Sequence, residues 1–236
     1  MEHRIEINLD RCLCIHSLLQ MLDLSLQAIL YDRRIIPEPY HRLKGSQDTK
    51  GAQKFCDAYE KLTKTLQSTF RSYNRELIEE IVLILGNTPF APAEIFRIDV
   101  KPCAAHGDSF SDDFDPAAPP ATSQCVDICG QLSPKERREV SMSVAFPKLV
   151  DANQPPRAPL GKLAKGFLML RTNGKLLQQV EGLELDDSYA LPPAEQVQRL
   201  GIRTTRIGSR KCPTDEAADA EVGAIWHRFA HVISSV

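Results

Sequence analysis

The sequence predicts an α+β fold in which helices pack against a mainly antiparallel β-sheet. Two long segments carry apolar residues at helical spacing, and several short segments further along carry the continuous or alternating apolar pattern of strands. Short connections between some of these strands are typical of hairpins, which join antiparallel neighbours. At 236 residues the chain is long enough to bury about 70–75% of its unfolded surface without disulfides.

The first helix is indicated by a wide apolar face, formed by Ile15, Leu18, Leu19, Leu22, Leu26, Ile29 and Leu30. Pro37 and Pro39 lack a backbone N–H and disfavour helical dihedrals in the preceding residue, so the helix should end by about residue 35 or 36. We expect Arg33 and Arg34 in its last turn, where cations complement the helix dipole, and an extended chain beyond it.

A second amphipathic helix is indicated by Phe55, Ala58, Tyr59, Leu62, Leu66, Phe70, Tyr73 and Leu77. The apolar run "EIVLILG" then predicts a buried strand. The alternating run "EIFRIDV" predicts another, with Phe96, Ile98 and Val100 on one face and Arg97 and Asp99 on the other. Because the linker "NTPFAPA" is short, we expect these two strands to form a hairpin.

Residues 101–132 interrupt this pattern, and their acidic, proline-rich composition predicts a mobile loop at about 103–125. A third helix should begin in "SPKE", where Ser133 can cap the helix, Pro134 suits its first position and Glu136 completes a capping box. The following "EVSMSVAF" alternates like a strand, so the pattern leaves the end of this helix open.

The last third of the chain has a β-like pattern. Asn173 and Gly174 separate two apolar runs in "FLMLRTNGKLLQQV", which is a strong signal for a tight hairpin. "GIRTTRI" and "AIWHRFAHVI" also read as strands. We expect His227 and His231 to lie on one exposed face of the last strand, so that a metal-binding helix is the less favoured interpretation.

Composition excludes several classes of function. The 29 basic and 31 acidic residues give a formal charge of −2, so no global charge favours nucleic acid or an anionic membrane. The apolar segment 12–31 contains too many polar residues to span a bilayer. Seven scattered cysteines behind the polar start "MEHRIEINLDR" indicate reduced thiols, hence a cytosolic or nuclear protein.

No standard catalytic motif is present, and the metal-like patterns are incomplete. The chain lacks "GxxxxGK[ST]", "GxGxxG", "GxSxG" and "HExxH". Cys12 with Cys14, and Cys125 with Cys129, lack the partners of a zinc site, so small buried hydrophobes are the favoured interpretation. The acidic run 108–115 lacks the glycine and the glutamate of a calcium loop. We therefore expect no cofactor and no metal.

Two segments resemble the HORMA-domain family. The first is "ILYDRRIIPEPYHRLK", with Tyr31, Arg33, Pro37, Pro39, Tyr40, Leu43 and Lys44 at motif positions. The second is "EIVLILGNTPFAPAEIFRIDV", with Pro92, Glu94, Phe96, Ile98 and Asp99. The resemblance covers residues 12–100, and beyond them only the element order and the "IW" of the final strand agree.

The resemblance implies one HORMA-like domain over residues 1–236. Three helices would pack on one face of the sheet, and the C-terminal segment would complete the sheet. Ile225 and Trp226, together with Phe229, would anchor that segment as a self-closing strand. Tyr40 and Leu43 would be packing residues in preference to partner contacts.

The resemblance also implies a function, that of a non-enzymatic adaptor in the spindle assembly checkpoint. Such an adaptor binds the closed form of the mitotic-arrest-deficient-two HORMA protein and presents it to an AAA+ remodelling ATPase, which silences the checkpoint. It would act in the nucleus and cytoplasm, and at the kinetochore or spindle in mitosis. The partner would bind the third helix, through residues of one face: Arg138, Met142, Ala145, Phe146 and Leu149.

Alternatives remain open at this point. Met142 and Phe146 could belong to the core instead, because the third helix must also bury one face. The chain could be another HORMA scaffold, of the meiotic axis, translesion synthesis or autophagy, that grips a peptide with its C-terminal segment. An enzyme with an unrecognised pocket is the distant alternative.

Overall fold

The computed structural model describes residues 2–9, 11, 13–46, 49–72, 74–100, 130–146, 160, 164–209 and 224–236. Within them the helices are α1 (Ile15–Asp32), α2 (Tyr40–Ser46), α3 (Lys50–Arg71), α4 (Pro134–Ala145) and α5 (Ala194–Leu200). The strands are β1 (Glu2–Ile7), β2 (Ile78–Thr88), β3 (Ala91–Asp99), β4 (Lys165–Thr172), β5 (Leu183–Leu185), β6 (Arg203–Ser209), β7 (Ile225–Phe229) and β8 (Ile233–Ser234). The loop expected at 103–125 lies outside the described residues.

All eight strands belong to one sheet, in the order β1-β6-β3-β2-β4-β7-β5, with β8 also paired to β4. β6 is parallel to both β1 and β3, and the remaining pairs are antiparallel. The prediction of an α+β fold with a mainly antiparallel sheet is therefore confirmed.

The sheet has a large core on one face and a smaller one on the other. Side chains of α1, α3 and α4 share the large core with alternate residues of the strands, among them Leu83, Phe96 and Ile98. The opposite face packs a smaller apolar cluster beneath the segment before β6, including Tyr189 and Trp226. No helix in the described part of the chain is long and apolar enough to span a bilayer.

The end of α1 differs from the prediction in two ways. The helix ends at Asp32, so the expectation that Arg33 and Arg34 lie in its last turn is wrong: Arg33 is the C-cap residue and Arg34 follows it. Arg34 has a φ of +57°, and the Ile35 N–H donates to the Leu30 carbonyl. The chain beyond Pro39 is not extended, because α2 begins at Tyr40 with Pro39 supplying the first carbonyl acceptor. Proline suits that position, where an N–H would have no helical partner.

The second predicted helix is present as α3, but it is shorter than its apolar pattern. Thr49 caps its first turn by accepting a hydrogen bond from the Ala52 N–H. The helix ends at Arg71, and Leu77 lies in a 3-10 turn, so the expected extension to Leu77 is wrong. The chain leaves the helix where Asn74, which has no exposed surface, is committed to bonds with a distant segment.

The β2–β3 hairpin is confirmed, with Leu83 opposite Phe96 and Ile81 opposite Ile98. The hairpin expected around Asn173 and Gly174 is wrong. The chain after β4 forms no strand until β5, and β5 pairs with β7.

Two features explain that missing hairpin. The edge of β4 that a returning strand would need is occupied by β7 and β8. Asn74 also holds the segment after the turn: its Oδ1 accepts from the N–H groups of Leu177 and Gln178, and its Nδ2 donates to the Gln178 carbonyl.

The third predicted helix begins at Pro134 with the capping box in place and stays helical to Ala145, which excludes a strand over that stretch. "GIRTTRI" forms β6, and the last segment forms β7 and β8 with a break at Ala230. The expectation that His227 and His231 share one exposed face of the strand is wrong: His227 retains 5% of its surface, and His231 is half-buried beyond the end of β7. His227 lies on the same face of β7 as Phe229, which belongs to the main core.

Candidate protein-docking surface

The start of α4 is fixed by several polar contacts. The Ser133 hydroxyl accepts from the Glu136 N–H, and the Glu136 carboxylate accepts from the Ser133 N–H at 2.7 Å. That carboxylate also accepts from the Arg11 Nε at 2.8 Å, and the Leu132 N–H donates to Gln20 of α1 at 2.7 Å. The Arg11 hydrogen bond is the largest of the effects that lower the pKa of Glu136 to about 2. These contacts hold the helix firmly beside α1.

α4 has one buried and one exposed face. Val140 and Val144 are buried against the main core, with 0% and 3% of their surfaces exposed. Met142 and Phe146 retain 46% and 67%, so they do not belong to the core.

The sequence-predicted partner residues lie on this exposed side. Arg138, Met142 and Phe146 follow one another at i, i+4 spacing, which brings them to one side of the helix. Arg138 is exposed and Ala145 is half-buried beside them. Phe146 is the C-cap residue, and Leu149 lies outside the described residues. The described part of the predicted surface is therefore a short, firmly anchored strip with apolar side chains and one arginine, which we call the α4 strip.

The motif residues around the end of α1 are chiefly structural. Arg33 turns inward and pairs with Glu94 of β3, at 2.7 Å from Nη2 to Oε1 and 2.7 Å from Nε to Oε2. Both residues are buried, with 3% and 5% of their surfaces exposed. This pair joins the two motif segments directly. The sequence places Arg33 at a motif position and in the range of the helix dipole, but it does not indicate Glu94 as its partner.

α2 packs through its motif residues onto α3. Leu43 is buried, and the Tyr40 ring lies 4.7 Å from the Tyr59 ring and 6.3 Å from the Phe55 ring. Burial, with a contribution from Glu60, raises the pKa of Tyr40 to about 12, so its hydroxyl stays protonated.

The remaining motif residues lie as follows. Lys44 pairs with Glu60 at 2.8 Å, Asp99 with Arg206 at 3.1 Å, and Phe96 and Ile98 are core residues. Pro37 and Tyr31 are exposed, while Pro39 and Pro92 are half-buried.

The C-terminal residues lie on both faces of the sheet. Phe229 is in the main core, and Trp226 packs edge-on against Tyr189 at 5.2 Å in the smaller one. Ile225 is half-buried opposite Thr172 of β4.

A groove of about 400 Å³ lies between α1 and α3. Several of its polar groups are already bonded within the protein: Asp23 accepts from the Tyr59 hydroxyl at 2.7 Å and from Gln27 at 2.9 Å, and Lys44 pairs with Glu60. Burial raises the pKa of Tyr59, so this hydroxyl is a donor and not a base. Among the described residues no group of three or more His, Cys, Asp or Glu side chains could hold a metal ion.

Comparison with known proteins adds no family assignment. No family model matches the chain, and no curated protein is significantly similar to it. The sequence motifs and the geometry of the described residues therefore carry the functional argument.

Proposed function

We propose that this chain is a non-enzymatic adaptor of the HORMA-domain family, of the comet type that silences the spindle assembly checkpoint. It would bind the closed form of the mitotic-arrest-deficient-two HORMA protein and present it to an AAA+ remodelling ATPase. The observation that carries the proposal is the α4 strip: Met142 and Phe146 are exposed beside Arg138 on a helix that is otherwise firmly anchored.

The composition of this strip suits a protein partner. Arginine is over-represented among hot spots, methionine is enriched in the buried centre of interfaces, and large apolar side chains gain most from being desolvated there. An anchored helix also loses little conformational freedom on binding, so more of the contact energy appears as affinity.

Three further observations support the family part of the proposal. The motif segments that carry the resemblance meet in the buried Arg33–Glu94 pair, so they form one structural unit. α1, α3 and α4 share one core on one face of the sheet, as the resemblance implies. The C-terminal segment pairs with β4 through β7 and β8, which favours the self-closed form over a peptide-gripping belt.

The first test is titration calorimetry with the purified closed partner. Arg138→Glu combined with Met142→Ala should weaken binding by about 2 kcal/mol or more, since truncating a hot-spot residue typically costs that much. Both side chains are exposed, so thermal stability should change little.

A matched control is available on α5. Arg199→Glu combined with Leu200→Ala makes the same kind of change on another exposed helix surface, where Leu200 is 57% exposed. This control should bind like the unmodified protein. Equal affinities for the α4 variant, the control and the unmodified protein would remove the α4 strip from the interface.

A second test concerns the ATPase step. The chain has no phosphate-binding loop motif, so by itself it should turn over no nucleotide. Added to the AAA+ ATPase and the closed partner, it should accelerate conformational conversion of the partner. Nucleotide hydrolysis by the purified chain alone would contradict the adaptor proposal and favour the enzyme alternative.

A further inference from the structure

β1 forms one end of the sheet as the described residues build it. β1 pairs with β6 along its whole length and lies at the end of the strand order. Within the described ranges no strand and no other backbone group is hydrogen-bonded to its outer side. In a parallel pair, part of the N–H and C=O groups of an edge strand point away from the neighbour, and these can pair with another strand.

The side chains of β1 alternate regularly between the two faces. Ile5 and Ile7 lie in the main core with 5% and 0% of their surfaces exposed. Arg4 and Glu6 lie on the other face, where their side chains retain 61% and 59% and form an ion pair at 3.5 Å. The edge thus presents two opposite charges, two residues apart, around a buried isoleucine.

We propose that β1 of a second copy of this chain pairs antiparallel with this edge, about a two-fold axis at Ile5. In this register Arg4 lies opposite Glu6 of the second copy, and Glu6 lies opposite its Arg4. The two Ile5 side chains lie opposite each other on the core face. Residues directly opposite in an antiparallel pair share a face, so the helix-covered faces of both sheets lie on the same side.

The neighbouring registers are disfavoured by charge. An axis at Arg4 places the two Arg4 side chains opposite each other, and an axis at Glu6 places the two Glu6 side chains opposite each other. Like charges directly opposite destabilise a strand pair. Of these three axes, only the one at Ile5 sets Arg4 against Glu6, and it does so twice.

The expected dimer is weak. One pair of six-residue strands buries less surface than a standard protein interface, so the dissociation constant should lie roughly between micromolar and millimolar. Charged side chains on an edge strand can also prevent association. Reversing the charges of Arg4 and Glu6 distinguishes the two roles. The proposal concerns an edge that is separate from the α4 strip, and it stands or falls independently of the proposed function.

The test is sedimentation analysis of the full chain over a concentration series, with a charge-exchange set. Arg4→Glu and Glu6→Arg should each raise the dissociation constant about tenfold or more, because two pairs change from attraction to repulsion at once. The double variant Arg4→Glu/Glu6→Arg should restore dimerisation. An equimolar mixture of the two single variants should form a heterodimer, since its cross-strand pairs are again opposite in charge.

Lys61→Glu changes the net charge as Arg4→Glu does, at an exposed position of α3, and should leave dimerisation unchanged. In the unmodified chain, hydrogen exchange at Glu2–Ile7 should slow as concentration rises, because the outward N–H groups become bonded. A monomer at every soluble concentration would overturn the proposal. So would a dimer that ignores both single reversals, or one whose formation leaves exchange in β1 unchanged.

Discussion

The buried pair of Arg33 and Glu94 allows a sharp test of how the end of α1 is held. The two side chains meet at two contacts of 2.7 Å, and only 3% of Arg33 and 5% of Glu94 remain exposed. Arg33→Met removes one partner and leaves a carboxylate with little access to water. Breaking a buried ion pair in this way costs about 3–5 kcal/mol of unfolding free energy, because the remaining charge is uncompensated.

The double variant Arg33→Met/Glu94→Met separates this cause from simple loss of packing. Replacing both members of a buried pair by apolar side chains of similar size is often neutral, so the double variant should recover most of the loss. Urea unfolding followed by circular dichroism measures the unfolding free energy of the unmodified chain, the single variant and the double variant. The dependence of this free energy on urea concentration should be the same for all three if the substitutions affect only the native pair.

The Asp99–Arg206 pair supplies the comparison for this experiment. Its two side chains keep 15% and 20% of their surface exposed, so Arg206→Met should cost clearly less than Arg33→Met. A loss below about 1 kcal/mol for Arg33→Met, or a double variant as unstable as the single one, would refute the reasoning.

Two further predictions concern single polar side chains. The hydrogen bond from Arg11 is the main cause that lowers the pKa of Glu136 in the folded state from 4.5 to about 2. The ionised Glu136 side chain therefore contributes its full stabilisation above pH 4.5 and loses it as the pH falls toward 2. The stability difference between the unmodified chain and Glu136→Gln should shrink over that range, and a pH-independent difference in urea melts would contradict this. Asn74→Ala removes three hydrogen bonds from a fully buried side chain to the backbone of Leu177 and Gln178. At about 1 kcal/mol for each bond it should cost about 2–4 kcal/mol in the same assay, and a change within error would show that the 177–178 segment is held otherwise.

The elements that could be predicted from sequence are those whose signals are local. Ser133, Pro134 and Glu136 carry the complete chemistry of a helix start, and α4 begins there. The β2–β3 hairpin also follows from a short linker between two apolar runs. Prediction fails where a residue far along the chain determines the local structure. Asn173 and Gly174 fit a hairpin, but β7 occupies the edge of β4 that the returning strand would pair with, and Asn74 binds the backbone of the segment that would form that strand.

In the candidate site, too, local signals are predictable from the sequence and contacts with distant residues are not. Helical spacing could place Arg138 and Met142 on one side of α4, but it could not show whether that side is buried, because burial depends on how α1 lies against the helix. The neighbours of Arg33 predict a role at the helix dipole, whereas its partner, Glu94, lies on a strand far along the chain. Arg11 was not predicted at all, since nothing near it in sequence points to Glu136.

The pairing of β1 with β6 has a consequence for the timing of folding. Ile5 lies opposite Ile207, so β1 meets its neighbour only after all the residues between them have been translated. At about 5–20 residues per second the ribosome needs roughly 10–40 s to cover that distance. During this interval β1 is on the nascent chain without its neighbour, and Ile5 and Ile7 are accessible to chaperones. The β1–β6 pair can therefore form only after β6 has been synthesised, and a chain whose translation stops before β6 leaves β1 unpaired.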